Sequence, residues 1–355
     1  ETFGAFMSKS RLVASAALPF ALVVLTACES PAETPKPEQP PAASPTPALT
    51  REAIEAAVFE AAPTPAPNGQ TAPAAADPAI ARAQILLDRA NFSPGVNDGL
   101  GGDNTRQAIA AFEKAAGLPE DGVLDAEVFR RLTAGDTGKV MADYTITAAD
   151  LAGPFIGQVP SDLQAMSKLP TVGYATPLEA FAEKFHMTEG LLRALNPRVD
   201  FGKAGQIIIV AAVAQTDLAG DVARIVVDKT ERSVRAYDAN DHLLAFYPAT
   251  IGTSAHPAPS GDLTVVGVAP EPNYTYDPDR VSYDRGDRKV IVPPGPNNPV
   301  GSVWIDLSRD TYGIHGTPDP SKVGKTFSSG CVRLTNWDAE QLASRVKPGV
   351  RVVFR

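Results

Sequence analysis

One stretch of this chain cannot bury itself, and it sets the outline of everything else. Residues 29–78 are dominated by Pro, Ala and Thr, with runs such as "PAETPKPEQPPAASPTP". Such a segment lacks the large apolar side chains that would offset the entropy lost on folding. Its proline density favours extended polyproline II at about 3.1 Å per residue, a linker spanning on the order of 150 Å. The 355-residue chain must therefore fold in pieces around it. "LTREAIEAAVFEAA" (49–62) interrupts the linker with the pattern of one short helix.

Ahead of the linker, Lys9 and Arg11 precede an apolar run that Pro19 breaks and that is short for a membrane span. The run ends Leu25-Thr26-Ala27-Cys28. This resembles the lipobox of bacterial lipoproteins. The resemblance implies that residues 1–28 are a signal peptide with a lipobox, that Cys28 is lipidated, and that the membrane is a partner through that anchor. It also implies a periplasmic protein, with Glu29 favouring the outer membrane over the inner. The residues alone also fit an ordinary signal peptide or a membrane helix.

Residues 79–135 read as a compact helical unit. "IARAQILLDRANF" carries apolar residues at helical spacing. Gly99, Gly101 and Gly102 mark a turn, and Asp103 or Asn104 is placed to cap the next helix. Asp98-Gly99, Thr105-Arg106, Phe112 and Gly117-Leu118-Pro119 with Gly122 resemble the three-helix peptidoglycan-binding domain. Phe112 is expected in the core.

Residues 170–213 form a further unit. Leu178, Phe181, Ala182 and Phe185 make one helical stripe, and Leu191, Leu192 and Leu195 a second. Asn196-Pro197 stops it, and a strand follows at 207–210. This is similar to LysM, a β-α-α-β module that binds N-acetylglucosamine polymers, although Thr176-Pro177 replaces the usual Gly-Asp. His186, between the two stripes, reads as a solvated or packing residue.

From residue 221 to 355 the pattern turns to strands. "ARIVVDK", "RSVRAYD", "LLAFYPATIG", "LTVVGVAP", "SVWIDLS" and "GVRVVFR" are rich in Val, Ile and Tyr. "NWDAEQLASRV" reads as the one helix, with Thr335 as its cap. The fold class is thus multidomain α+β.

With Cys28 consumed by lipid, Cys331 is the remaining thiol and has no internal partner for a disulfide. It lies sixteen residues after His315. A cysteine attacks as thiolate, and a histidine can take its proton and later return it to a leaving amine. The histidine needs an acceptor on its other nitrogen. Gly330 permits a turn barred to other residues, and backbone amides there could hold an oxyanion. Arg333 adds a permanent cation suited to a carboxylate.

His315-Gly316-Thr317-Pro318, Gly324, Ser328-Ser329-Gly330-Cys331 and Val332-Arg333-Leu334 look like the signature of the L,D-transpeptidase (YkuD-type) catalytic domain. "PPGPNNPVGSVWIDL" (293–307), Ile251-Gly252 and "PAPSG" (257–261) extend the match over about 222–355. Ala258 and Ser329 replace the commoner Thr and His. The resemblance implies that Cys331 attacks the diaminopimelate carbonyl of a tetrapeptide stem and expels D-alanine. The thioester then passes to an amine of another stem, forming a cross-link. It further implies that the Gly316 carbonyl orients His315, that Gly330 and Cys331 amides are the oxyanion donors, that Ser328 and Ser329 shape the loop, and that Arg333 positions substrate. Peptidoglycan stem peptides and glycan are the implied partners.

A net charge of −9 leaves no footprint for nucleic acid. One remaining cysteine and four scattered histidines give no metal motif, and the thioester conserves the energy of the cleaved amide, so no cofactor is expected. Four alternatives stay open: D-amino acid exchange, carboxypeptidation, protein-to-wall attachment, and a non-catalytic wall-binding scaffold. Residues 270–293 read as a lid or subsite, or equally as a solvated insertion.

Overall fold

The computed structural model describes residues 49–59, 75–213, 217–281 and 283–355. The lipobox with Cys28 and most of the 29–78 segment lie outside the described residues. Among the described residues, no helix is long and apolar enough to cross a membrane.

Helix α1 (Arg51–Ala56) falls within the 49–62 stretch whose pattern interrupts the linker. The Thr50 hydroxyl caps it by accepting from the Ala53 amide. Ile54 is fully buried, Arg82 donates to the carbonyls of Glu55 and Ala57, and the Glu55 carboxylate accepts from the Met141 amide at 2.8 Å. One large apolar residue and satisfied helix ends supply what the flanking Pro/Ala sequence lacks.

Helices α2 (Pro78–Arg89), α3 (Asp103–Ala116) and α4 (Ala126–Gly135) bring Ile85, Leu87, Ile109, Val128, Phe129 and Leu132 into one core. Asp77 caps α2, with Pro78 in the first helical position. The cap expected for α3 does not form: Gly102 stands at its N-terminus without a side-chain bond. Asn104 is drawn elsewhere, its Nδ2 donating to the Val323 carbonyl at 2.9 Å in the C-terminal region. Phe112 is partly buried, edge-on to Phe92.

Next come β1 (Met141–Thr145), α5 (Leu163–Met166), α6 (Pro177–Lys184), α7 (Glu189–Leu195) and β2 (Ile207–Ala211). Strands β1 and β2 pair antiparallel, from Met141↔Ala211 to Thr145↔Ile207. The partner of β2 thus lies outside the expected 170–213 unit, beyond an insertion that carries α5. No strand forms directly before α6, where Thr176 caps the helix and Pro177 opens it. His186 is buried rather than solvated.

The C-terminal region holds β3 (Arg224–Asp228), β4 (Ser233–Tyr237), β5 (Leu243–Pro248), β6 (Gly261–Pro270), β7 (Tyr274–Tyr276), β8 (Val290–Val292), β9 (Val303–Leu307), β10 (Gly313–His315), β11 (Val332–Arg333), α8 (Asn336–Ala343) and β12 (Arg351–Phe354). Eight of the strands form one sheet in the order β11-β10-β9-β6-β12-β3-β4-β5. Pairs β10–β11 and β12–β3 are parallel and the others antiparallel. Inward Val, Ile and Leu side chains fill its core, including Ile225, Val227, Val234, Ile305, Ile314 and Val352. Thr335 caps α8 through the Asp338 amide at 3.1 Å, and α8 packs across β9 and β10.

Both ends of this sheet are covered. The Asn91–Ser93 segment lies along β5: Phe246 N–H donates to Asn91 O and Ser93 N–H to Phe246 O, each at 2.9 Å. At the other end, Thr250 and Arg333 exchange two backbone hydrogen bonds of 2.9 Å. Phe246 itself is buried in the core that the helices share. The 270–293 segment is a hairpin of β7 and β8, with Tyr276 buried against Leu163 and Met166 of α5.

Candidate active site

The sheet register brings the expected reactive pair together. His315 closes β10 and stands opposite Arg333 on the parallel strand β11, while Cys331 immediately precedes β11. Register partners share a face, so Arg333 lies on the face of His315, and Cys331 lies close enough to Arg333 for its charge to act on the thiol. The sequence separates His315 and Cys331 by a loop; one parallel pairing removes that distance.

His315 is buried, 3% exposed, and its Nδ1 meets the Gly316 carbonyl at 2.7 Å. Trp304 on β9 stacks on the imidazole at 5.3 Å and 20°. Burial holds the His315 pKa down to about 3; the Arg333 guanidinium adds to the effect, and the carbonyls of Gly316 and Val300 oppose it. Burial also pushes the Cys331 thiol up, against the Gly313 amide that hydrogen-bonds the sulfur and against Arg333. The resting pair is therefore neutral thiol and neutral imidazole.

Cys331 is half-buried and in no disulfide, with Sγ 3.5 Å from the Thr311 carbonyl. Gly330 before it has φ +117°, a conformation L side chains rarely adopt, and a Cβ there would meet Tyr312 at 2.9 Å. Ser328 Oγ donates to the Cys331 carbonyl at 2.5 Å and accepts from the Gly330 amide at 3.2 Å. The Gly330 N–H, expected as an oxyanion donor, points at Ser328 Oγ in this structure. The hydroxyl that shapes the turn is what claims it. Ser329 is half-buried beside it.

Arg333 lines a cavity of about 220 Å³ together with Arg285, Lys322, Thr250, Thr317 and Thr326. Its Nε is buried without a hydrogen-bond partner. Burial and the nearby Arg285 lower its pKa, while Cys331, Tyr283 and Tyr274 raise it. The β7–β8 hairpin thus packs beside the thiol, and it supplies Tyr274, Tyr283 and Arg285.

Sequence reasoning missed Trp304 and Asn336, and left the 270–293 hairpin open between a lid or subsite and a solvated insertion. Asn336 Oδ1 accepts from the Ser302 amide at 3.2 Å and the Thr317 amide at 3.0 Å. It fits against Gly316 so closely that a Cβ there would fall 2.1 Å from Oδ1. Trp304 carried a signal, as one of two tryptophans in the chain; Asn336, the first residue of an ordinary helix, carried none. Among the described residues no three His, Cys, Asp or Glu side chains converge as metal ligands.

A mainly β domain with this loop has known relatives. Residues 222–354 match the profile of the YkuD family, the L,D-transpeptidase catalytic domain, and residues 76–132 match that of the "Putative peptidoglycan binding domain". "Putative L,D-transpeptidase YkuD" of Bacillus licheniformis is 33% identical over 177 residues, which are 49% of this chain and 91% of that protein. Its Bacillus subtilis counterpart is 27% identical, covering 50% of this chain and 92% of that one. "Probable L,D-transpeptidase ErfK/SrfK" of Escherichia coli is 32% identical, covering 50% and 58% respectively. The chain belongs to the L,D-transpeptidase family and is multidomain α+β, with a helical peptidoglycan-binding-type domain ahead of a mainly β YkuD-type catalytic domain.

Proposed function

We propose that this protein cross-links peptidoglycan by acyl transfer through a Cys331 thioester. His315 Nε2 takes the thiol proton as Sγ attacks the diaminopimelate carbonyl of a tetrapeptide stem. The tetrahedral intermediate collapses, the C–N bond breaks, and His315 returns the proton to the departing D-alanine amine. An amine of a second stem then attacks the thioester and loses a proton to His315. Sulfur leaves and recovers that proton, so the cycle is redox-neutral and closed.

The observation that carries this reading is the pairing of His315 with Arg333, with Cys331 close beside Arg333 and His315 Nδ1 tied to the Gly316 carbonyl. Commitment of Nδ1 reserves Nε2 for the thiol. The 220 Å³ cavity beside Arg333, with Arg285 and Lys322, supports carboxylate docking. Ser328 and Ser329 hold the loop. The Cys331 amide serves the oxyanion, and Gly330 N–H joins it only where Ser328 turns away.

The domain reading consists of a signal at 1–28, a linker over most of 29–78, a peptidoglycan-binding unit at 79–135, a LysM-like unit, and a catalytic domain at 221–355. It fits a periplasmic lipoprotein anchored through Cys28, with Glu29 favouring the outer membrane. Pairing of β1 with β2 around α6 and α7 supports the LysM-like reading, with its start moved to about residue 141. D-amino acid exchange, carboxypeptidation and protein-to-wall attachment use the same acyl-enzyme with another acceptor.

The test is incubation of the full chain with a purified disaccharide-tetrapeptide, followed by mass spectrometry. A dimer lacking one D-alanine and a transient adduct at Cys331 are expected. Cys331→Ala should abolish both. A tripeptide product alone would point to hydrolysis. Product formed by Cys331→Ala would overturn the Cys331 mechanism, and neither adduct nor product from the unmodified chain would favour the scaffold reading.

A further inference from the structure

A second cavity, of about 660 Å³, opens between α6, α8 and the 149–174 and 294–296 segments. None of His315, Cys331 and Arg333 lines it. Two buried polar atoms without hydrogen-bond partners belong to its lining residues: Glu183 Oε1 and the Trp337 indole Nε1. Glu183 is 6% exposed, and its other oxygen accepts from Asn336 Nδ2 at 2.9 Å. A native structure rarely leaves such groups unmade, because each costs its full desolvation.

The charge around them has one sign. Glu340 and Glu271 line the cavity with Glu183, and Glu179 stands close enough to act on it. Lys184 also lines it but is spent, its Nζ on Asp150 at 2.8 Å and on the Tyr144 hydroxyl at 2.7 Å. His186 is likewise held by Asp88 at 2.8 Å. An acceptor oxygen lacks a cation, and an indole N–H lacks an acceptor.

We infer that this cavity binds a ligand carrying a primary ammonium group next to a hydrogen-bond acceptor. The ammonium lies between Glu183 and Glu340, and the acceptor takes the Trp337 N–H. An amino sugar with a free amine and an amino-acid side chain share this chemistry. The inference goes beyond the acyl-transfer reading and does not rest on it.

Burial pushes the Glu183 carboxyl up to about 8, with the Asn336 hydrogen bond opposing it and Glu179 and Glu340 adding to it. Tyr174, which feels all three carboxylates, completes the titratable groups facing it. Glu183 is thus largely protonated at pH 7. A bound ammonium favours its ionised form, so binding should release a proton.

The experiment is calorimetric titration of the full chain at pH 7 with L-lysinamide and with glucosamine. Their neutral counterparts, diacetyl-lysinamide and N-acetylglucosamine, are the controls. At least one amine should bind with Kd on the order of 1 mM or tighter, and neither acetylated control should. The heat should vary with the ionisation enthalpy of the buffer, reporting the released proton. Prior alkylation of Cys331 should leave binding unchanged. Glu183→Gln and Glu340→Gln should each weaken it at least about fivefold. If Glu183→Gln fails to fold, Glu340→Gln, at an exposed position within α8, decides. Which amine binds separates the amino-acid source from the amino-sugar source. Absence of binding by either amine would overturn the inference, as would equal binding of the acetylated controls or loss of binding on Cys331 alkylation.

Discussion

Asn336 accepts the Thr317 amide at 3.0 Å with the same oxygen that takes Ser302, one residue from the carbonyl that holds His315. The turn after β10 therefore has a side-chain clamp anchored at the start of α8. Asn336→Ala would strand two backbone amides and the Glu183 carboxyl, at a cost of about 1–3 kcal/mol for each buried orphan. Positioning errors of this kind act on turnover. We predict a lowered Tm, with kcat reduced at least about tenfold and KM little changed. Wild-type kcat in a folded Asn336→Ala protein would show that the clamp does not serve His315.

The thiol and imidazole should behave as a neutral pair. With the Cys331 pKa raised above 9.0 by burial, the thiolate fraction grows about tenfold per pH unit up to and beyond pH 9. Alkylation of Cys331 by iodoacetamide, followed by mass spectrometry, should rise over that whole range. A plateau beginning near pH 6 would mean that thiolate and imidazolium coexist at rest.

Two buried carboxyls predict an unusual pH dependence of stability. Glu183 is raised to about 8 and Asp338 to about 7, Asp338 by burial and then by Asp88. Between the ordinary carboxyl range and those values, the native state holds protons that the unfolded chain has released. Stability should therefore fall as pH rises from about 5 to 8. His315, depressed to about 3, works in the opposite sense below about 6.5, where the unfolded chain binds the extra proton. Calorimetric Tm values across pH 5–8 should show a flatter dependence in Glu183→Gln and in Asp338→Asn than in the wild type. Slopes identical to the wild type in both variants would remove these groups as the cause.

A fragment of residues 222–355 should be poorly behaved even though it contains the whole catalytic domain. Removing residues 75–213 uncovers Phe246, fully buried in the full chain, and strips the Asn91–Ser93 segment from β5. An unpaired edge beside an exposed aromatic invites pairing with another copy. Size-exclusion chromatography should find oligomers or precipitate for the fragment, and none for residues 75–355. A stable monomeric fragment would show that the helical units are dispensable for folding.

The catalytic loop was legible because its chemistry is contiguous: His315 through Arg333 can be read in one pass, and one strand pairing assembles it. The Val- and Ile-rich strands and the Thr335 cap were legible for the same local reason. What escaped was whatever depends on a distant partner. Asn104 carries the composition of a cap, yet it serves the Val323 carbonyl, 219 residues away. Ile54 sits in a stretch with a helical pattern, but nothing local shows that α2 and β1 bury it. Strand β1 finds its partner only after an insertion that no local pattern measures. Ser93 donates to Asp338 at 2.9 Å, and His186 stacks on Trp337 at 4.7 Å. Contacts of this kind turn modules that read as beads on a string into one compact unit among the described residues.

The group that fixes the His315 ring is main chain, the carbonyl of Gly316. No codon change can delete it, and a scan that replaces every side chain in turn would miss it. It carries no charge, so added salt cannot weaken its hold by screening, and it cannot be titrated away in acid. Whatever inactivates this protein at that point must move the backbone, which makes Gly316, where a side chain would strike Asn336, and the neighbours that hold the turn still its genetic handles.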